Sequence, residues 1–99
     1  MIELTAKAVK EWNALWHPAK NILKEVLCER IVQDKRWGTQ DHDMADYYTI
    51  LGEEFGEVGK AICEYKLQRK VPIEQIRLEL IQTAAVAIAM IESLDRNRA

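Results

Sequence analysis

From Leu78 to Ile91 the chain reads Leu-Glu-Leu-Ile-Gln-Thr-Ala-Ala-Val-Ala-Ile-Ala-Met-Ile, which at helical spacing leaves almost no polar face. A helix that is apolar all round has to be buried all round. That demand is hard to meet in 99 residues. A single domain of this size cannot wrap one of its own helices on every side, and oligomerisation is the common remedy for so small a core. The stretch therefore predicts an all-α fold completed by self-association, as a homodimer or homotetramer. It is too short for a membrane span: the longest apolar run, Thr83 to Ile91, is bracketed by Gln82 and Glu92, well below the ~20 residues a bilayer needs.

Composition narrows the class further. Four glycines and two prolines are few for this length, which favours helices over a turn-rich all-β fold. With 48% hydrophobic and 30% charged residues, the chain resembles a globular domain rather than a disordered one. A net charge of −2 supplies no basic field for a nucleic-acid polymer. The opening Met-Ile-Glu-Leu-Thr-Ala-Lys lacks the pattern of a signal peptide, so the expected location is cytoplasmic. Cys28 and Cys63 show no metal-type spacing and are expected to be buried free thiols.

Breaks and periodicity divide residues 1–99, read as one domain, into a short helix and three long ones. Thr5 to Trp16 reads as an amphipathic helix with Val9, Trp12, Leu15 and Trp16 on one side, ended by His17-Pro18. Trp12, Trp16 and His17 are read as packing residues. Ile22, Leu23, Val26, Leu27, Ile31 and Val32 recur at helical spacing, predicting a second helix from 19 to 36 that stops at Gly38. After a polar loop, Asp43 or Asp46 caps a third helix over 44–69. Val71-Pro72 ends it, and Pro72 suits the first turn of a fourth helix over 72–96. Short connections between long helices imply a bundle.

The third helix sorts into three surfaces at ~100° per residue. Tyr48, Leu51, Phe55, Val58, Ile62 and Tyr65 form an apolar stripe, expected to be core. Gly52, Gly56, Gly59 and Cys63 form a strip of small residues. Each helical glycine costs ~1 kcal/mol relative to alanine, so close approach of a backbone or a ligand is expected along this strip. Glu53, Glu57 and Glu64 share the third face, with Glu54 one turn from Glu57. On the fourth helix Glu79 and Gln82 project together from the edge of the apolar stretch. An unpaired carboxylate beside a buried surface is costly, and a divalent cation shared with the third-helix acids would relieve the cost. Oxygen ligands of this kind select Mg²⁺ or Mn²⁺ over zinc.

Glu53-Glu54-Phe55-Gly56-Glu57 followed by Glu79-Leu80-Ile81-Gln82 resembles the E-E-x-x-E and E-x-x-D signature of the MazG-like all-α nucleoside triphosphate pyrophosphohydrolases. Lys35-Arg36-Trp37-Gly38-Thr39-Gln40-Asp41-His42 and the alanine-rich helix from Ala84 to Leu94 add to the likeness. It covers about residues 25–95 and leaves residues 1–18 as an extension. The resemblance implies Mg²⁺-dependent hydrolysis of a canonical or modified nucleoside triphosphate to monophosphate and pyrophosphate, a house-cleaning role. Position by position it implies Glu54, Glu57 and Glu79 as metal ligands and Glu53 as the acid that supports them or orients water. Gln82 stands where the family usually has a liganding aspartate.

Positioning and charge neutralisation are what phosphoryl transfer needs. Lys60 shares the face of Glu53 and Glu57 and either touches phosphate or pairs with Glu57. Lys66, Arg69 and Lys70 end the third helix, where cations complement the dipole, and Arg77 near Glu79 is a weaker phosphate candidate. Arg36, Trp37 and His42 are candidate substrate residues: Trp37 either stacks on a base or belongs to the core, and His42 either bonds substrate or faces water. A di-iron bundle needs Glu-x-x-His, and Ala14 and Thr39 precede His17 and His42 at that spacing, so this class is set aside. Two alternatives stay open: a catalytically weakened module that binds nucleotide or protein, favoured by Gln82, and a pure oligomerisation domain.

Overall fold

A computed structural model describes residues 5–14 and 17–98. Every regular element among them is helical: α1 (Ala6–Ala14), α2 (Pro18–Trp37), α3 (Met44–Cys63, continued by a π-helical turn over Glu64–Gln68) and α4 (Ile73–Asn97). No helix among the described residues is long and apolar enough to cross a membrane.

The boundaries follow local chemistry. The Thr5 hydroxyl accepts from the Ala8 N–H at 3.0 Å, satisfying one of the free donors at the start of α1. Leu15 and Trp16 of the expected first helix lie outside the described residues. Pro18 opens α2, where its missing N–H costs nothing. His17 is its cap: Nδ1 accepts from the Ala19 N–H at 3.0 Å, and the residue is exposed rather than packed. Gly38 stops α2 at φ 72°, a left-handed value that glycine adopts without strain, and its N–H donates to the Asp34 carbonyl at 2.8 Å. Of the two expected caps for α3, Asp43 is the one used, accepting from the Asp46 N–H at 2.9 Å.

The expected third helix to residue 69 needs correction. Its α-helical part ends at Cys63, and the last turn widens before Arg69 turns left-handed at φ 53°. The Lys70 N–H then closes onto the Glu64 carbonyl at 2.9 Å. Beyond it, Pro72 holds Val71 away from the helical region and stands just before α4 rather than within its first turn.

α4 is the central helix, with α3 packed along one side and α2 along another. The buried apolar residues are Val26 of α2, Tyr47, Val58 and Ala61 of α3, and Ala85 and Val86 of α4. This corrects the expected core stripe of α3, of which only Val58 is buried. Tyr48 and Phe55 are 76% and 71% exposed, and Ile62 and Tyr65 are also exposed. α3 turns a neighbouring face to α4, running through Tyr47, Glu54, Val58 and Ala61, because its apolar arc is wider than one partner helix can cover. On α2, likewise, Ile22, Leu23, Leu27, Ile31 and Val32 stay exposed around Val26.

Two more expectations change, and α4 stays partly open. Cys28 and Cys63 are exposed free thiols, because each lies on the outer side of its helix. α1 buries no residue, and its half-exposed Trp12 meets Lys20 with Nζ 5.3 Å from the ring centroid instead of joining the core. α4 is covered on two sides only, leaving Ile73, Leu80, Ile91 and Leu94 exposed.

Polar ties hold α4 to the other helices. Arg30, buried, donates to Glu92 at 3.0 Å, to Gln33 at 3.0 Å and to Asp34 at 2.9 Å. Its positive charge is held the more firmly by the Glu92 hydrogen bond and the nearby Asp34. Asp41 in the α2–α3 loop accepts from Ser93 at 3.0 Å, Arg96 at 2.7 Å and Asn97 at 3.1 Å. An exposed pair, Arg77 with Glu25, joins α4 to α2; Arg77 is thus engaged away from Glu79.

Candidate active site

α2 and α3 both pack on α4 but diverge from each other, and the space between them is a cleft of about 380 Å³. That volume lies within the range of small-molecule sites. Glu29, Arg30, Gln33, Arg36 and Trp37 line it from α2; Tyr47, Ile50 and Glu54 line it from α3; Gln82, Val86, Ala89 and Arg96 line it from α4; Gly38 to Gln40 and His42 close one end. The combination is apolar in the floor and charged in the walls, with acids and arginines on the same opening.

Of the nine residues expected at a site, five reach this cleft: Arg36, Trp37, His42, Glu54 and Gln82. Trp37 is 57% exposed, with the Arg36 guanidinium 5.2 Å from its ring centroid. It is therefore an exposed ring at the rim with a guanidinium over one side, not a core residue. His42 stands edge-on to Tyr47, ring centroids 5.0 Å apart. The Tyr47 hydroxyl donates to the Gln40 carbonyl at 2.8 Å, which fixes the loop beneath the histidine.

Glu54 is the half-buried acid of α3. Burial raises its carboxyl above the ordinary value, and the carboxylates of Glu79, Glu57, Glu29 and Glu53 raise it further. Both causes disfavour the charged form. The surroundings of Glu54 therefore form a concentration of negative charge. Among the described residues no three acidic, histidine or cysteine side chains converge as an ion-binding set. The expected ligands are neighbours by field without being a formed chelate. Glu53 and Glu57 are exposed, and Glu79 is half-buried with its carboxylate accepting from the Gln75 amide at 2.9 Å.

One expectation is corrected, and the glycine strip stands open. Lys60 does not line the cleft and does not pair with Glu57; its ammonium lies 4.0 Å from Glu64, one turn on. The glycine strip is not approached by anything among the described residues: a Cβ placed on Gly52, Gly56 or Gly59 meets no heavy atom within 4 Å. These glycines lie on the outer surface of α3 and none of them lines the cleft.

Glu29, Arg30, Gln33 and Arg96 escaped the sequence reading. Glu29 accepts from the Gln33 amide at 3.3 Å and adds its charge to the group around Glu54. The signal was available on α2: Glu29, Gln33 and Arg36 recur in steps of four and three, which places them on one helix face. That polar face beside the apolar stripe marks the cleft wall. Comparison with protein families, with curated proteins and with solved structures finds no match to this chain.

Proposed function

We propose that the cleft hydrolyses a nucleoside triphosphate to the monophosphate and pyrophosphate in the presence of Mg²⁺ or Mn²⁺, in the cytoplasm. The observation that carries this reading is a cleft in which the half-buried Glu54 and Glu29 open onto the same space as arginines and an exposed tryptophan, with Glu79, Glu57 and Glu53 adding negative charge near Glu54 from outside its lining. Carboxylates gathered without a cation repel one another, and an all-oxygen donor set suits a hard divalent ion. Glu54, Glu57 and Glu79 would hold the ion, with Gln82 offering an amide oxygen from the same cleft as Glu54. When bound, the ion neutralises triphosphate charge and lowers the pKa of a coordinated water.

The chain's own groups supply the rest. Arg36 offers cationic donors for phosphate oxygens at the rim, while Arg96, which lines the same cleft, is held by Asp41. Trp37 presents a ring face to a nucleobase, and His42 provides a nitrogen for phosphate or base. Glu53, one residue from Glu54 and exposed, accepts the proton that water loses as its oxygen bonds to phosphorus and the α–β anhydride breaks. The product pair leaves through the open side.

A second reading has a specific observation behind it. Gln82 adds no charge, and the acids do not converge into a chelate; both favour a helical module that holds nucleotide, or a protein, without turnover. Incubation with a panel of canonical and modified nucleoside triphosphates plus Mg²⁺ separates the two. Pyrophosphate and monophosphate in equal amounts support the hydrolase. Orthophosphate release, or retained nucleotide without turnover, overturns it, and the latter selects the silent module.

A further inference from the structure

Gln33 follows Arg30 by three positions and Glu29 by four, so the three side chains can meet on one face of α2. What they form there is a chain of hydrogen bonds that begins on another helix. Arg30 donates to Glu92 of α4 as a fork, from Nε at 3.0 Å and from Nη2 at 3.3 Å. Its Nη1 donates to the Gln33 amide oxygen at 3.0 Å, and the Gln33 nitrogen donates to Glu29 Oε1 at 3.3 Å. Because Arg30 occupies the oxygen end of the amide, the NH₂ end is left to face Glu29. Two rotatable side chains are thus fixed in turn from an arginine whose own side chain is 9% exposed.

Three acids line the cleft: Glu29, Asp34 and Glu54. Asp34 is taken up by Arg30 at 2.9 Å, and Glu54 is assigned above to the cation. Glu29 is the remaining one, on the α2 wall, and its contact with Gln33 is made through Oε1. Its charge reaches Glu54 on the α3 wall. Trp37 lies eight positions further along the same helix, about 12 Å away. A nucleotide with its base on Trp37 therefore has its phosphates toward the Glu29 end. A carboxylate repels phosphate oxygens, so its partner there is a hydrogen-bond donor, and the donor on the reaction path is the attacking water.

We propose that Gln33 and Arg30 are positioning residues that hold the Glu29 carboxylate in the cleft so that it accepts a hydrogen bond from the attacking water. The assignment rests on the hydrolase reading and extends it. Water has two O–H bonds. One proton leaves to Glu53 as the water oxygen bonds to phosphorus and the α–β anhydride breaks. The other O–H donates to Glu29 Oε2, which keeps the oxygen lone pair directed at phosphorus. Orientation of a reactant by a group already in place is a large source of rate. Gln33 sets that group before substrate arrives, which removes side-chain freedom from the step.

Glu29→Gln and Gln33→Met, singly and together in the full chain, test this by two readouts. One is the steady-state kinetics of pyrophosphate release with Mg²⁺ and the nucleoside triphosphate that the wild type turns over fastest. The other is NMR of the Gln33 side-chain amide in the ligand-free chain. Glu29→Gln should lower kcat by about 30-fold and Gln33→Met by about tenfold, with KM held within about twofold. The double variant should be no slower than Glu29→Gln alone, because Gln33 acts through Glu29. The Gln33 amide signals should move on Glu29→Gln, with or without turnover. Both replacements keep side-chain length, and urea unfolding is their folding control. Undiminished kcat in Glu29→Gln overturns the inference and leaves the hydrolase reading standing. Losses that add in the double variant, or amide signals that do not move, overturn the relay through Gln33. A wild type that releases no pyrophosphate overturns the hydrolase reading itself, and the role at the water with it.

Discussion

Tyr47 and Tyr48 are neighbours of identical chemistry, yet Tyr47 is 4% exposed and Tyr48 is 76% exposed. The 100° between them is the difference between the two flanks of α3. On the side of Tyr47 the helix meets α4, the cleft opens, and the surroundings are charged and hydrogen-bonded. On the side of Tyr48 it presents aromatic and aliphatic side chains, bordered by glycines, to open space. One helix thus carries a polar cleft-side face and an apolar bare face, and Glu54 belongs to the first. The lesson is that an apolar arc wider than one neighbour can cover marks a surface still to be covered.

The largest effect that would sharpen this contrast is catalytic. On the hydrolase reading, Glu57→Ala lowers pyrophosphate release by at least about 100-fold, the equivalent of ~3 kcal/mol of transition-state stabilisation. Helicity should be unchanged, since Glu57 is exposed and alanine favours helix. Undiminished turnover would make the acidic flank as inert as the bare one.

Next comes the polar anchor at the edge of the cleft. Arg30→Ala leaves Glu92 and Asp34 without their shared cation and is expected to destabilise the fold by about 2–3 kcal/mol, read from urea unfolding. The half-exposed carboxylates can re-hydrate, which keeps the loss at the lower end for a buried pair. A cost below about 0.5 kcal/mol would mean that apolar packing alone holds α2 to α4.

Gln82→Asp adds a carboxylate to the cleft that Glu54 lines. Titration calorimetry with Mg²⁺ alone should show affinity higher by about tenfold, as added ligand charge strengthens such sites. Unchanged affinity would exclude position 82 as a ligand without bearing on the rest of the cleft.

A smaller effect probes the bare flank. A Cβ on Gly56 meets nothing within 4 Å, so Gly56→Ala should stabilise the dissociated chain by about 0.5–1 kcal/mol through helix propensity. Destabilisation of the dissociated chain would reveal a neighbour against α3 on this side.

The last prediction concerns acid. The Arg96 hydrogen bond, with those of Ser93 and Asn97, holds the Asp41 carboxyl below its ordinary value of 3.8. A depressed folded-state pKa means that the stabilisation is present above pH 3.8 and is lost as the pH falls through the folded value. Asp41→Asn should therefore flatten the acid limb of a stability–pH profile. An unchanged limb would show that the loop is held by Tyr47 and the Gln40 carbonyl instead.

Segmentation of the chain was legible because its signals are local. Pro18, Gly38, Asp43 and Pro72 act through their own backbone or a hydrogen bond a few residues away, so the breaks between helices stood near where they were expected. The π-helical turn was not legible, since Glu64 to Gln68 continue a helical pattern without any breaker until Val71-Pro72. The acids Glu53, Glu54 and Glu57 were visible as spacing on one helix. Glu29 and Arg96 enter the cleft from other helices, 25 positions before Glu54 and 42 after it, and no periodicity within one helix connects them.

The sequence by itself determined four helices, the breaks between them, an acidic run on the third and an excess of apolar surface. Those properties come from backbone sterics and from a fixed angle per residue, which need no partner. Only the tertiary structure decided that α4 lies at the centre, that Glu54 rather than Phe55 turns inward, and that α2 contributes a wall with Glu29 and Trp37. A helix of fixed phase can dock by any part of a wide apolar arc, and the part chosen depends on which neighbour arrives. That choice sets the cleft and the bare flank on opposite sides of the same helices.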